Sequence, residues 1–359
     1  MNKGKSVVLS APRKMTAEEF PIPEVSKDDG VLQVEIAGVC GSDVIHYRNH
    51  SGPVILGHEI VGRIADIGSE AEQNWGVSRG DRVVLEATFG CGRCKDCSNG
   101  LYRICRKLRG YGGGVLSTTP PFIWGGYGDY VYLPPTVKVH RISDSMPGEV
   151  AVLICAVLGN GVRWLRTVGG VTIGDTAVIL GPGPQGLASV IAAKESGADQ
   201  IVIVGLEHDD SRLSKAKDLG ATHVVIADTE VVSNVIYDIT DGLMADVVID
   251  VTNSADSAGP AIDLVRPRGT VVLAGSKGSK NAVISSDNIT MNENSVIGVN
   301  THDSPAVEQA LSIAEKGKYP LETIVSHRFP ISEAELAIQT LSGELSSEGL
   351  IKVVMYPDG

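Results

Sequence analysis

No stretch of this 359-residue chain approaches the roughly 20 unbroken apolar residues that a membrane-spanning helix needs. Its opening residues, MNKGKSVVLS, lack the apolar segment and small-residue cleavage site of a secretory signal. These absences set the expectation of a cytoplasmic protein with no membrane partner. Positive charge is short as well: 31 Lys and Arg against 43 Asp and Glu leave a formal net charge of -12, which argues against a polyanion as main partner. Cysteine is scarce, with six in all. In a reducing compartment, a cluster of so few reads as a metal site rather than a disulfide framework. The chain also lacks internal repeats and low-complexity tracts.

What is present begins with the placement of those cysteines. Cys91, Cys94, Cys97 and Cys105 read C-x-x-C-x-x-C followed by seven residues and a fourth Cys. Short loops at this spacing wrap four thiolates around one tetrahedral Zn²⁺ at about 2.3 Å each, and four protein ligands close the site to water and substrate. This zinc is therefore expected to be structural. Arg93, Lys95, Arg103, Arg106, Lys107 and Arg109 crowd the run, as they would in a nucleic-acid-binding zinc ribbon. A dianionic tetrathiolate centre accounts for them, and no other recognition signature accompanies them, so nucleic acid is not expected as a partner.

Length and a 43% hydrophobic content favour two domains. The first 150 or so residues are rich in Gly and Pro, with short β-branched runs at 31–37, 82–86 and 130–133, the texture of a twisted, barrel-like β domain. From about Asp175 apolar strands (TAVILG, QIVIVG, HVVIA, DVVIDV, TVVLAG) alternate with helical segments such as 185–196 and 210–219. That pattern predicts βαβ units and a parallel sheet covered on both faces. Near residue 295 the alternation ends. Helices around 305–316 and 332–342 and a strand at 349–355 are suited to completing the first domain.

Gly181-Pro-Gly183-Pro-Gln-Gly186 follows the strand 176–180 and opens a helix, the context that gives a G-x-G-x-x-G run its meaning. The first glycine permits a tight turn, the second lets backbone approach a pyrophosphate, and the third lets helix pack on strand. The acid that usually follows about 20 residues on, where it binds the adenosine ribose, is replaced at the end of the second strand by Gly205. Glu207 can take that role in a longer loop, favouring NAD. Arg212 or Lys215 nearby leaves NADP as the alternative.

Cys40 in GVCGSD, His58 in GHEIVG and Cys155 in LICAVLG together suggest a second zinc site, with three protein ligands and one open position, the mark of a catalytic metal. At this point C-G-S-D, G-H-E, the four-cysteine lobe and the later G-x-G-x-x-G, in this order, resemble the zinc-dependent medium-chain alcohol dehydrogenases, nearest to the polyol and threonine dehydrogenase-like branch. The resemblance covers essentially the whole chain. It implies an α/β protein: a GroES-like, partly open β-barrel catalytic domain (1–155 and 295–359) with a Rossmann doubly wound parallel-sheet domain (156–294) inserted.

The same resemblance makes Cys40 and His58 catalytic zinc ligands, Glu59 an intermittent ligand or supporting carboxylate, and Cys155 the third ligand. That third position is held by Cys in some branches and by Glu or Asp in polyol and threonine branches. Ser42 matches the hydroxyl that touches the substrate oxygen. The family's relay histidine falls at Ile45 here, with His46 one residue later. Leu187, after the third glycine, joins Gly181, Gly183, Gly186, Glu207 and Arg212 as a cofactor-binding candidate. The segment between Cys40 and His58 is short for the family, and the irregular stretch 112–124 reads as a lid over the widened cleft.

The implied function is hydride transfer between a secondary, polyol-like alcohol and NAD, with two zinc ions per chain, one catalytic and one structural. The partner is a small alcohol or carbonyl substrate, and the assembly a homodimer or homotetramer. An NADP-dependent ketone or aldehyde reductase is the same-fold alternative. A catalytically inactive, zinc-stapled dinucleotide sensor is the alternative of another class, and the joint presence of Cys40, Ser42, His58, Glu59 and Cys155 speaks against it.

Overall fold

The structure, a computed structural model, describes residues 2–50, 52–346 and 348–358. The chain forms two compact units, Met1–Ala156 with Asp303–Gly359, and Val157–His302.

In the first unit, β1 (Gly30–Val39), β2 (Glu59–Ile67) and β3 (Arg82–Leu85) pair antiparallel in sequence. The tail returns to the same sheet: Lys352–Tyr356 pairs antiparallel with the far edge of β1 and parallel with Val325–Pro330. A three-stranded sheet built on Lys3–Ala11 is bridged to the region by Ser6 and Gly128. Between them lies one apolar core, in which Val8, Leu32, Ile55, Leu85 and Val353 are fully buried. Each such side chain contributes about 1.5–3 kcal/mol by leaving water. The result is the GroES-like barrel architecture read from the glycine-rich, β-branched texture.

The second unit carries six parallel strands: β4 (Thr176–Leu180), β5 (Gln200–Gly205), β6 (His223–Ile226), β7 (Ala245–Asp250), β8 (Val265–Leu273) and β9 (Ser295–Gly298). Their spatial order is β6-β5-β4-β7-β8-β9. The chain therefore steps outward from β4 in one direction and then restarts from β7 in the other, the doubly wound order. Neighbouring residues of a strand, such as Val178 and Ile179 or Val202 and Ile203, are all fully buried. Both faces of the sheet are covered, which is why these strands read as unbroken apolar runs.

Two details depart from the sequence reading. The second unit runs to His302 rather than ending near residue 294, because β9 pairs along β8 as the edge strand of the sheet. Residues 148–168 form one helical stretch, long and apolar enough by length and composition to cross a membrane, where no such segment was expected. Its most apolar window is 89% buried in the protein, so its side chains are spent on core packing. Part of this stretch, Ile154–Gly159 and Val162–Val168, is wound in wide π turns.

Candidate active site

Strand pairing builds the site. Cys40 follows the end of β1 and caps α1 (Gly41–Asn49), while His58 immediately precedes β2 and Glu59 opens it. Register sets Gly38 opposite Glu59, so the thiol, the imidazole and the carboxylate arrive at one place. Gly38 is required there, because a Cβ on it would stand 1.9 Å from Glu59 Oε2. The ligand atoms of Cys40, His58 and Glu59 all lie within 4.8 Å of one another.

A second layer of buried groups holds these three. Asp43, fully buried in the first turn of α1, accepts from Cys40 N at 2.9 Å and from Tyr127 Oη at 2.9 Å. Its Oδ1 faces His58 Nδ1 at 3.6 Å. Lys352 enters from the other side of β1, donating to Val39 O at 2.8 Å and standing 2.5 Å from Glu59 Oε2. Glu59 Oε1 is buried with no hydrogen-bond partner. An orphaned carboxylate oxygen beside a thiol and an imidazole is what a zinc ion satisfies, so the donor set fits that metal.

Electrostatics are tuned to match. Burial pushes the Cys40 thiol up, but the adjoining His58 overcomes this and leaves it below its ordinary value. Burial also opposes charge on His58, yet Asp43 and then Cys40 raise its imidazole well above the usual range. The pair is shifted toward thiolate with imidazolium, and a zinc ion held by both residues would take the place of the imidazolium proton.

Cys155, expected as the third ligand, is not in this group. It is buried on the first π turn, and burial, reinforced by Glu86 and Glu59, pushes its thiol well up. Ser42 follows Cys40 in the first turn of α1 and is half-buried. His46 lies further along the helix, its ring edge-on to His50 at 5.3 Å and outside the three-residue cluster. Burial holds its imidazole below the ordinary value. The 112–124 stretch, expected as a lid, is anchored at its end and exposed at Leu116, Thr118 and Pro120. Ile123 and Trp124 belong to the core, Trp124 Nε1 donates to Thr119 O at 2.8 Å, and Gly113 backs onto the His46 ring.

The four cysteines of the lobe also converge, with all ligand atoms within 4.8 Å and no disulfide. Cys94 Sγ and Cys105 Sγ are 3.7 Å apart, against about 3.8 Å for the edge of a tetrahedron with 2.3 Å zinc–sulfur bonds. The Arg93 amide draws the Cys91 thiol down to about 6, while burial and neighbouring thiols push Cys97 up to about 11. Such competition for negative charge is what a bound dication relieves. Tyr102 anchors the lobe by donating to the buried Glu86, which also accepts from Ser304 Oγ at 2.6 Å.

In the second unit Gly181 directly follows β4 with φ +104°, a conformation that only glycine adopts without strain. Gly183 has open space on its Cβ side, and a methyl at Gly186 would stand 1.9 Å from Gly181 O. Helix α2 (Pro184–Ser196) begins there. Leu187, expected near the cofactor, is a fully buried core residue whose amide bonds to Gly183 O. Glu207 is exposed at the end of β5, its amide donating to Asp228 Oδ2 at 2.8 Å, and Arg212 pairs with Asp209 at 2.9 Å.

Comparison with known proteins bears on this arrangement. Residues 26–144 match the alcohol dehydrogenase GroES-like domain, and residues 184–316 match the zinc-binding dehydrogenase domain. A probable alcohol dehydrogenase of Mycobacterium tuberculosis is 36% identical over 98% of both chains. This chain belongs to the zinc-dependent alcohol dehydrogenase family. It is an NAD(P)-dependent oxidoreductase by that membership. A sorbitol dehydrogenase of Halalkalibacterium halodurans is 31% identical over 95% of both chains. In fold, the dehydrogenase matches an alcohol dehydrogenase of Thermotoga maritima with a TM-score of 0.91, at 24% identity over 100% of both chains. An alcohol dehydrogenase of Escherichia coli, complexed with NADH, matches with a TM-score of 0.86 at 25% identity, over 99% of this chain and 100% of that one.

Sequence reasoning had missed Asp43, Tyr127 and Lys352. Asp43 carries a signal of its own, an acid at the third helical position after the capping Cys40. Lys352 carries none, because only the return of the tail to β1 brings it to Glu59.

Proposed function

We propose that this dehydrogenase oxidises a secondary, polyol-like alcohol with NAD, using a zinc ion held by Cys40, His58 and Glu59 and a second, structural zinc in the four-cysteine lobe. The observation that carries the reading is the convergence of a thiol, an imidazole and an unsatisfied buried carboxylate oxygen at the junction of β1 and β2. When bound, zinc supplies Lewis-acid polarisation of an alcohol or carbonyl oxygen, and the nicotinamide supplies the hydride chemistry. Asp43 orients His58 and fixes the Cys40 backbone. Lys352 pins one oxygen of Glu59 and leaves the other to the metal. Ser42, with its hydroxyl beside Cys40 in sequence, hands the alcohol proton outward. Three protein ligands leave one position open for substrate, and the lobe's four leave none.

NAD is favoured over NADP by the charge of the loop after β5. Glu207 and Asp228 form an acidic rim that suits ribose hydroxyls and repels a 2′-phosphate. Arg212 and Lys215, the cations near such a phosphate, are paired with Asp209 and Asp218. The NADH held by the Escherichia coli neighbour and the sorbitol dehydrogenase among the relatives support the cofactor and the polyol-like substrate class. The reading includes a cytoplasmic homodimer or homotetramer. Val283 and Met291, 88% and 82% exposed in the segment leading to edge strand β9, are apolar surface that such assembly would cover.

The deciding test contrasts two variants. Glu59→Gln is expected to lose the catalytic zinc and more than a hundredfold in turnover, while Cys155→Ser keeps both zinc ions and most of its turnover. The reverse pattern would restore Cys155 as the third ligand.

A further inference from the structure

A buried polar cluster stands at the carboxyl edge of the parallel sheet. Asp250, the last residue of β7, is fully buried. Its Oδ1 accepts from Thr252 N at 2.9 Å and Thr252 Oγ1 at 2.8 Å, and its Oδ2 from Ser257 Oγ at 2.6 Å and Lys277 Nζ at 2.7 Å. Lys277 Nζ also donates to Thr252 O at 2.8 Å and lies 3.2 Å from Ser257 Oγ. One Asp–Lys pair thus grips the amide, the hydroxyl and the carbonyl of Thr252.

That grip fixes what lies beside the glycine turn. β4 and β7 pair with Leu180 opposite Asp250, so residues 181 and 251 leave the sheet side by side. Thr252 Cγ2 lies 3.1 Å from the point a Cβ on Gly181 would occupy. In the order β6-β5-β4-β7-β8-β9, strands β4 and β7 flank the point where the winding reverses, the crevice in which doubly wound sheets take their ligands.

Charge adds a second demand. A dinucleotide pyrophosphate brings two negative charges to the Gly181–Gly186 turn. Asp250 ends the adjacent strand of the same crevice, and a buried carboxylate without a counter-ion repels such a ligand with little screening. Lys277 cancels that charge from inside the fold, its donors spent on Asp250, Thr252 and Ser257.

We propose that Lys277 is a positioning residue for the dinucleotide: with Asp250 it seats Thr252 against Gly181 and keeps the crevice neutral for the pyrophosphate. The inference rests on the dinucleotide reading of the Gly181 turn. It is tested by fluorescence titration of NADH into the full-length, zinc-loaded protein at low and high salt, with melting temperatures on the same samples. Lys277→Met is expected to weaken NADH binding at least tenfold, about equally at low and high salt, because the stranded Asp250 charge is buried. Adding Asp250→Asn removes the stranded charge and is expected to recover at least fivefold of that loss. A merely structural role would make the double variant as weak as the single one or weaker. Binding by Lys277→Met within twofold of the parent, or a double variant no tighter than the single, overturns the proposal. If Lys277→Met does not fold, Lys277→Gln keeps amide donors without the charge; at least fivefold weaker binding supports the proposal, and parent-like affinity overturns it. A parent that binds neither NADH nor NADPH defeats the underlying dinucleotide reading, which separates that failure from a failure of Lys277 alone.

Discussion

The four-cysteine lobe draws its ligands from residues 91–105 of one loop, whereas Cys40, His58 and Glu59 meet because β1 and β2 pair in register and the tail of the chain returns beside them. The lobe is nearly self-sufficient: its sulfurs take bonds from local amides such as Cys97 N and Lys107 N. The Cys40 site depends on a shell of buried charge, with Asp43 behind His58 and Lys352 behind Glu59. A structural metal site needs only ligands and short loops. A site that leaves a position open needs its ligands held by something other than the metal.

The largest expected effect that sharpens this contrast is on the lobe. Cys94→Ser removes one ligand from a kind of site whose zinc contributes about 10–16 kcal/mol to folding in small domains. It is expected to lose the lobe's zinc and to lower the melting temperature sharply; native melting with full zinc content would contradict the structural assignment. Next comes Lys352→Met, which strands the Glu59 carboxylate in the core at a cost of about 3–5 kcal/mol. Denaturant unfolding should show that loss together with weaker zinc retention at the Cys40 site and unchanged retention in the lobe. Parent-like stability would mean that Glu59 has no need of its partner. The smallest effect is that of Asp43→Asn, expected to weaken zinc at the Cys40 site about 10–100-fold by freeing His58, with the fold intact. Competition with a chromophoric chelator measures it, and an equal loss from the lobe would erase the distinction between the two centres.

The same contrast governs what could be read from the chain before it was folded. Cys91, Cys94, Cys97 and Cys105 announce themselves because their spacing is their geometry. Gly181, Gly183 and Gly186 do so because the strand before them and the helix after them are local. Unbroken runs such as TAVIL foretell a sheet covered on both faces. Lys352 is invisible in sequence, since nothing near it hints that its strand will lie along Val39. Cys155 illustrates the converse: residue type and order point to it, but the group whose ligand atoms lie within 4.8 Å of one another is Cys40, His58 and Glu59. The 112–124 stretch reads as a lid because it is irregular, and the anchoring of its end by Ile123 and Trp124 in the core is not legible in the sequence.

The most direct test of the account is zinc per chain, by elemental analysis of protein purified without chelator, for the parent and for His58→Ala, with dehydrogenase activity on secondary alcohols measured alongside. The account predicts two zinc ions in the parent and one in the variant, with activity abolished and the lobe's zinc retained. A parent with one zinc or none, or a variant that keeps both, would contradict it.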